Sequence, residues 1–162
     1  MGSMKDMTLT FLVRDNEVLL AQKKRGFGEG RWNGAGGKVE PPESILDAMV
    51  RECQEEIGVT PLRYRKVGEL AFDAYHKGEK LDLLVHTYLC EVWEGEPTES
   101  EEMNPKWFKT SDIPYDDMWQ DDKFWLPQVL EGKKVTGIFT FDKQDRMLTH
   151  QVKEVSKLPD LG

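Results

Sequence analysis

Apolar and polar residues are ordered along the chain in a way that marks out short strands and one strong helix. Residues 8–13 (Thr-Leu-Thr-Phe-Leu-Val) are β-rich, Arg14-Asp15-Asn16 is a turn signal, and Val18-Leu19-Leu20 resumes the apolar run. Together they predict a hairpin. A basic, glycine-punctuated loop follows from Lys23 to Gly37. Pro41 and Pro42 have no place inside a helix and precede one. Ser44 predicts its N-cap, with Asp47 three residues on, and Gly58 predicts its stop. Within it Ile45, Met49, Cys53 and Ile57 recur every fourth residue, with Leu46 and Ala48 beside them, and define the core face.

Strands are predicted over 62–75, interrupted at Gly68, and over 81–92. An acidic loop, Glu94 to Glu102, leads to a short strand at Lys106-Trp107-Phe108. Asp121 to Leu130 predicts a second helix, weakened in the middle by Pro127. Residues 134–141 and 146–155 form a last hairpin around Asp142 to Asp145. There is no internal repeat and no linker. The expectation is one α+β domain over 1–162, its sheet set between a strong helix and a weaker one, with 1–7 and 156–162 as tails. Met1-Gly2-Ser3 reads as a cloning remnant.

Charge narrows the ligand. Thirty acidic against 22 basic side chains give a net charge of −8, which disfavours nucleic acid or an anionic membrane surface as the main partner. A polyanionic small molecule then needs divalent cations to mediate its contact. No apolar run reaches the length of a membrane span, and the N-terminus lacks the apolar core of a signal peptide. Cys53 and Cys90 lie in apolar patterns and read as buried free thiols of a reducing, cytoplasmic compartment.

The chemistry concentrates between Gly37 and Val59. Glu52, Glu55 and Glu56 stand at i, i+3 and i+4, so their carboxylates share one helix face. Like charges at that spacing destabilise a helix by ~0.2–0.5 kcal/mol per pair, and acidic crowding near a helix C-terminus opposes the dipole. Hard divalent cations held by oxygen ligands relieve that repulsion. A merely solvated acidic face is the alternative, although no lysines are interleaved.

Gly37, five residues, Glu43, seven residues, then Arg51-Glu52-Cys53-Gln54-Glu55-Glu56-Ile57-Gly58-Val59 resembles the Nudix box, with Cys53 and Val59 in its two apolar slots. The resemblance implies a Nudix fold, an α/β/α sandwich with a mixed central sheet. It also implies metal-dependent hydrolysis of a nucleoside diphosphate linked to another moiety, with Mg²⁺ as cofactor and Mn²⁺ as a substitute. It makes Glu52, Glu55 and Glu56 metal ligands, adds the Gly36 carbonyl and the distal Glu102, and pairs Glu43 with Arg51 as supports. Glu56 is the favoured general base, with Glu52 and a distal loop carboxylate as contenders.

The flanks resemble the branch of the family that cleaves oxidised purine nucleoside triphosphates, 8-oxo-dGTP and 2-hydroxy-dATP, to monophosphate and pyrophosphate. Lys23-Lys24-Arg25-Gly26-Phe27-Gly28 with Gly30-Arg31-Trp32-Asn33-Gly34, Glu99 to Phe108, and Asp117-Met118-Trp119 with Asp121-Asp122 and Trp125 carry the likeness. Asn33 offers donor and acceptor to a base edge. Asp121 and Asp122, adjacent and among aromatics, are expected to have at least one raised pKa and so to present donor or acceptor by changing protonation. Trp119 is expected to stack on the base and Phe27 and Phe72 to wall the pocket, with Thr8 and Lys23 counted among the substrate contacts. The partner is then a small nucleotide, with no nucleic acid, no membrane and a monomeric chain.

Four features depart from that branch: Ala35, the segment 74–80 about two residues longer, Gln120 in place of a proline, and Leu83-Leu84. They bear on substrate preference. Another small nucleotide, such as O6-methyl-dGTP or a dinucleoside polyphosphate, is the competing substrate, and a nucleotide-binding module without turnover the competing class.

Overall fold

A computed structural model describes residues 4–159. The Met1–Ser3 segment and the last three residues of the expected C-terminal tail lie outside the described residues. The elements in chain order are β1 (Lys5–Arg14), β2 (Glu17–Lys23), β3 (Trp32–Asn33), α1 (Ile45–Ile57), β4 (Thr60–His76), β5 (Glu79–Glu94), β6 (Met103–Lys109), α2 (Asp122–Leu130), β7 (Lys134–Phe141) and β8 (Met147–Val155). Two single 3₁₀ turns, Thr110–Asp112 and Tyr115–Asp117, lie between β6 and α2.

The strands form one mixed sheet of order β3-β2-β1-β5-β4-β7-β8, with β6 also paired to β2. β1–β5 and β4–β7 are parallel; the other pairs are antiparallel. Period-2 alternation divides the side chains between two cores. Leu9 and Phe11 of β1, with Val18 and Leu20 of β2, join Trp125, Leu126 and Val129 of α2. The intervening Leu12, Leu19 and Ala21 join Met49, Cys53 and Ile57 of α1. The two helices therefore cover opposite faces, giving the expected α+β sandwich with a mixed central sheet.

α1 is bounded as its sequence dictates. The Ser44 hydroxyl accepts from the Asp47 N–H at 3.0 Å, and Gly58 closes the helix at φ +71°, a conformation glycine adopts without a Cβ penalty. Cys53 and Cys90 are buried and free, as expected.

Several boundaries differ. β1 begins at Lys5, so residues 5–7 are sheet and not tail: Lys5 and Asp6 pair with Leu83 and Leu84. Asp6 also accepts from the buried His86 Nε2 at 2.9 Å, while Lys66 Nζ donates to His86 Nδ1 at 2.9 Å. A lysine ammonium only donates, so this arrangement fixes the imidazole proton on Nε2. At the other end Leu158 is buried, so the segment after β8 packs down and is not a free tail. Gly68 does not interrupt β4; it sits at a register shift from Lys66, where pairing with β7 begins. The longer 74–80 segment is absorbed by extending β4 and β5 to a tight turn at Lys77 and Gly78. Pro127 does not break α2, because Trp125, Leu126 and Val129 are fully buried and anchor this short helix.

Candidate active site

β1 pairs with β2 only near its end, at Val13–Val18 and Arg14–Glu17. Beyond that point the loop after β3 runs alongside β1 instead, bridging Thr10–Ala35 and Met7–Lys38. A cleft of about 630 Å³ opens there. It is lined from both sides of the sheet, by Glu52, Glu55 and Glu56 of α1 and by Trp119, Asp121, Asp122 and Trp125 at α2. Thr8, Lys23, Phe27, Asn33, Gly36, Phe72 and Glu102 complete the set of residues the sequence singled out on its walls. Arg51 and Glu43 stand behind the wall.

The glutamates share a helix face but differ in depth. The Glu56 and Glu52 side chains are 6% and 12% exposed, and Glu55 is 59% exposed at the rim. Burial pushes Glu56 up to about 7, against the Gly36 N–H donated to its Oε1 at 2.8 Å. Burial likewise raises Glu52, opposed by the Arg51 charge.

Arg51 is the counter-charge of this wall. Its Nη2 donates to Glu43 at 2.6 Å and to the Lys38 carbonyl at 3.0 Å, and its Nη1 to Glu52 and Glu55, both at 3.1 Å. The pairing holds Glu43 below the usual carboxylate range. Among the described residues no three acidic, histidine or cysteine side chains converge into a metal-holding group; the glutamates are spread between Arg51 and Gly36. The donor set nevertheless suits a hard divalent cation, being all oxygen. The backbone also presses onto it: a Cβ on Gly37 would lie 1.6 Å from Glu52 Oε2, and one on Gly36 would lie 1.8 Å from the Thr8 carbonyl oxygen.

The basic loop does not stand free. Lys23 Nζ lies 3.9 Å from Glu56 and 3.8 Å from Glu102. Arg25 donates to Glu102 at 2.6 and 2.9 Å, and Lys24 pairs with Glu99. The Arg25 guanidinium holds the Glu102 carboxyl below its ordinary range. Ser100 ties this acidic segment to α1 by donating to the Glu56 carbonyl at 2.7 Å.

Toward α2 the cleft is apolar, with two exceptions. Asp121 and Asp122 are each only 2% exposed. Trp125 Nε1 donates to Asp121 Oδ2 at 2.7 Å, while Asp121 Oδ1 and Asp122 Oδ2 meet no other residue and the two carboxyls lie close enough to share a proton. Burial raises Asp121 to about 6; burial and the adjacent Asp121 charge push Asp122 well above the ordinary value. An acidic pair serving the helix dipole would be solvated; this one is not. Asn33 Oδ1 accepts from the Gly34 N–H at 2.8 Å, which leaves its amide N–H₂ for a ligand.

Trp119 is in contact with Phe27 (centroids 4.9 Å), Phe141 (5.5 Å) and the Arg31 guanidinium (4.1 Å), and Phe72 stacks on Phe139 at 5.1 Å. Arg31, Phe141, Leu83 and Ala74 also line the cleft; the sequence marks Leu83 and the segment from Ala74 as bearing on substrate preference but assigns Arg31 and Phe141 no contact. Phe141 and Leu83 occupy strand positions indistinguishable from core by alternation alone.

The comparisons agree with this geometry. The NUDIX domain model matches residues 4–129. The chain is 43% identical over 155 residues to the oxidized purine nucleoside triphosphate hydrolase of Mus musculus, covering 96% of this chain and 98% of that protein. It is 42% identical over 158 residues to the protein of the same name from Danio rerio, covering 98% and 100%. The crystal structure of a mutator MutT protein from Bacillus halodurans superposes with a TM-score of 0.80 at 28% identity, covering 92% of this chain and 97% of that one. With the family model over most of its length and glutamates, glycine loop and arginine arranged about one cleft, the chain belongs to the NUDIX family.

Proposed function

We propose that this protein hydrolyses oxidised purine nucleoside triphosphates, 8-oxo-dGTP and 2-hydroxy-dATP among them, to the monophosphate and pyrophosphate. Mg²⁺ is the proposed cation, with Mn²⁺ as a substitute. One observation carries this reading: a single cleft holds an all-oxygen glutamate wall and, beside Trp119 and Asn33, a buried carboxyl pair with two oxygens that meet no other residue. The names of the mouse and zebrafish relatives support it.

Glu52, Glu55 and Glu56, with the Gly36 carbonyl and Glu102, are the residues that would hold the cation. When bound, it neutralises phosphoryl charge and lowers the pKa of water. The protein's own groups do the rest. Glu56, with Oε1 tethered by Gly36 and Oε2 facing Lys23 at 3.9 Å, is the favoured carboxylate to take the proton of the water attacking phosphorus in line; Glu52 and Glu102 are the other carboxylates for this role. Glu43 and Arg51 hold the glycine loop against α1. Lys23 would meet the phosphates. Trp119 stacks on the base, Phe27 and Phe72 wall its pocket, and Thr8 borders it. Asn33 and the aspartates read its edge, a protonated aspartate donating and an ionised one accepting. Two oxidised purines with different tautomeric edges then fit one site.

No helix among the described residues is long and apolar enough to cross a membrane. A monomeric, cytoplasmic enzyme is the setting we propose, consistent with its two free buried thiols.

The test is steady-state kcat/KM with Mg²⁺ for 8-oxo-dGTP, 2-hydroxy-dATP, O6-methyl-dGTP and dGTP, with product identification, in wild type and Glu56→Ala. The expected result is a preference for an oxidised purine over dGTP of at least about tenfold, or about 1.4 kcal/mol of transition-state binding, with monophosphate released and activity lost in the variant. Equal rates on all four nucleotides would refute the substrate assignment. Binding without turnover would refute the enzyme.

A further inference from the structure

The loop that carries Trp119, Asp121 and Asp122 is braced from outside the cleft. Gln120, between them in sequence, faces away from the pocket into a shallow hollow bordered by Glu29, Asp116, Asp117 and Asp145. Its Oε1 accepts the Met147 N–H at 2.7 Å, and Met147 opens β8 at the β7–β8 turn. The same turn reaches the pocket a second way. Asp145 lies 3.7 Å from the Arg31 guanidinium, and that guanidinium covers the Trp119 ring at 4.1 Å.

The turn is closed by its own side chains. Asp142 Oδ1 accepts from the N–H groups of Gln144 and Arg146 at 2.9 and 3.0 Å, and Asp142 Oδ2 pairs with Arg146 Nε at 3.1 Å. Asp145 sits in the left-handed region at φ +62°, held there by this closed loop. The exposed Gln120 side chain thus ties the backbone at the turn to the Trp119–Asp122 segment.

We propose that Gln120 is a positioning residue for nucleotide binding: through Met147 it fixes the Trp119–Asp122 segment against the β7–β8 turn, with Asp145 and Arg31 as the second brace. This rests on the base-binding assignment above. A proline at this position has no acceptor side chain, so the brace belongs to this sequence and not to the box that carries the chemistry. Since Gln120 touches no phosphate-side group, its loss is felt in binding and not in turnover.

The experiment compares wild type, Gln120→Ala, Gln120→Glu (which keeps an acceptor for the Met147 N–H) and Asp145→Ala, all at high ionic strength, which screens the added carboxylate from those bordering the hollow. Each is assayed with Mg²⁺ on whichever purine triphosphate the wild type turns over most efficiently, with Tm recorded in parallel. The expected result is a fivefold or greater rise in KM for Gln120→Ala at kcat within twofold, recovery to within twofold of wild-type KM in Gln120→Glu, and a smaller rise for Asp145→Ala. A lowered Tm with unchanged KM in Gln120→Ala would make the contact structural only and overturn the proposal. So would an equal KM rise in Gln120→Ala and Gln120→Glu. Wild-type preference for an unoxidised nucleotide would instead overturn the substrate assignment and leave the KM comparison readable.

Discussion

At the scale of single residues, the site departs from ordinary solution chemistry most at Asp121 and Asp122. Both carboxyls are raised by burial, Asp121 to about 6. A carboxyl whose folded pKa exceeds its unfolded value, near 4, binds more protons folded than unfolded. Its stabilising contribution is complete below about pH 4 and is lost as pH rises through the folded pKa. The expected outcome is a falling Tm from pH 5 to pH 8 in the free enzyme, a decline that Asp122→Asn flattens; thermal melts at fixed ionic strength check it. Asn33→Ala and Asp121→Asn are expected to lower selectivity for 8-oxo-dGTP over dGTP, measured as a ratio of kcat/KM. Unchanged ratios in both variants would remove these side chains from base recognition. The adjacency and the aromatic setting of the pair are plain in the sequence. Their burial, the Trp125 hydrogen bond and the two oxygens that meet no other residue are products of packing.

At the scale of elements, α1 reports its own limits: cap, stop, apolar stripe and acidic face all follow local rules, and Ser44→Ala is expected to cost about 1 kcal/mol. The Glu43 pairing and the i,i+4 contact with Glu55 are legible for Arg51 in the sequence; its simultaneous hold on the glycine loop is not. Arg51 touches Glu43, Glu52, Glu55 and the Lys38 carbonyl at once and offsets the repulsion among the glutamates. Arg51→Ala is therefore expected to lower Tm in EDTA. It should also show a larger Tm rise on adding Mg²⁺ than wild type, because a bound cation replaces the lost counter-charge and stabilises by mass action. Equal Mg²⁺ shifts in the two proteins would contradict this. The glycine loop is equally demanding. Gly28 has φ +84°, and a Cβ there would lie 3.2 Å from Trp119 Nε1. Gly28→Ala should raise KM by displacing Trp119 while leaving kcat near wild type.

At the scale of the whole molecule, the cleft joins what the two helices hold on opposite faces of the sheet. Its glutamate wall hangs on α1 and its aromatic and aspartate wall on α2, so under the proposed function phosphate and base contacts are separately tunable. Phe72→Ala is expected to act through KM, and Glu52→Gln through kcat by a factor of about 10² or more. Their combined effect should be close to the product of the two, since sites without shared partners add in free energy; a strongly non-multiplicative double variant would show that the walls are coupled.

The sequence by itself determined the features set by short-range chemistry: the capped helix with its three glutamates in phase, the hairpins with their turn residues, the negative charge that disfavours a polyanion without a cation, and the box that places the chain in its family. Periodicity and spacing suffice there because the interacting groups lie within a few residues of one another. Only the tertiary structure decided the rest. Lys5 to Met7 became sheet because β5 offered them a parallel partner. The basic loop became an ion-paired strap because the segment 99–102 folded against it. Gln120 became a brace because a backbone N–H 27 residues away came within 2.7 Å. Each depends on a contact between distant segments, whose strength is fixed by desolvation and geometry that no local pattern encodes.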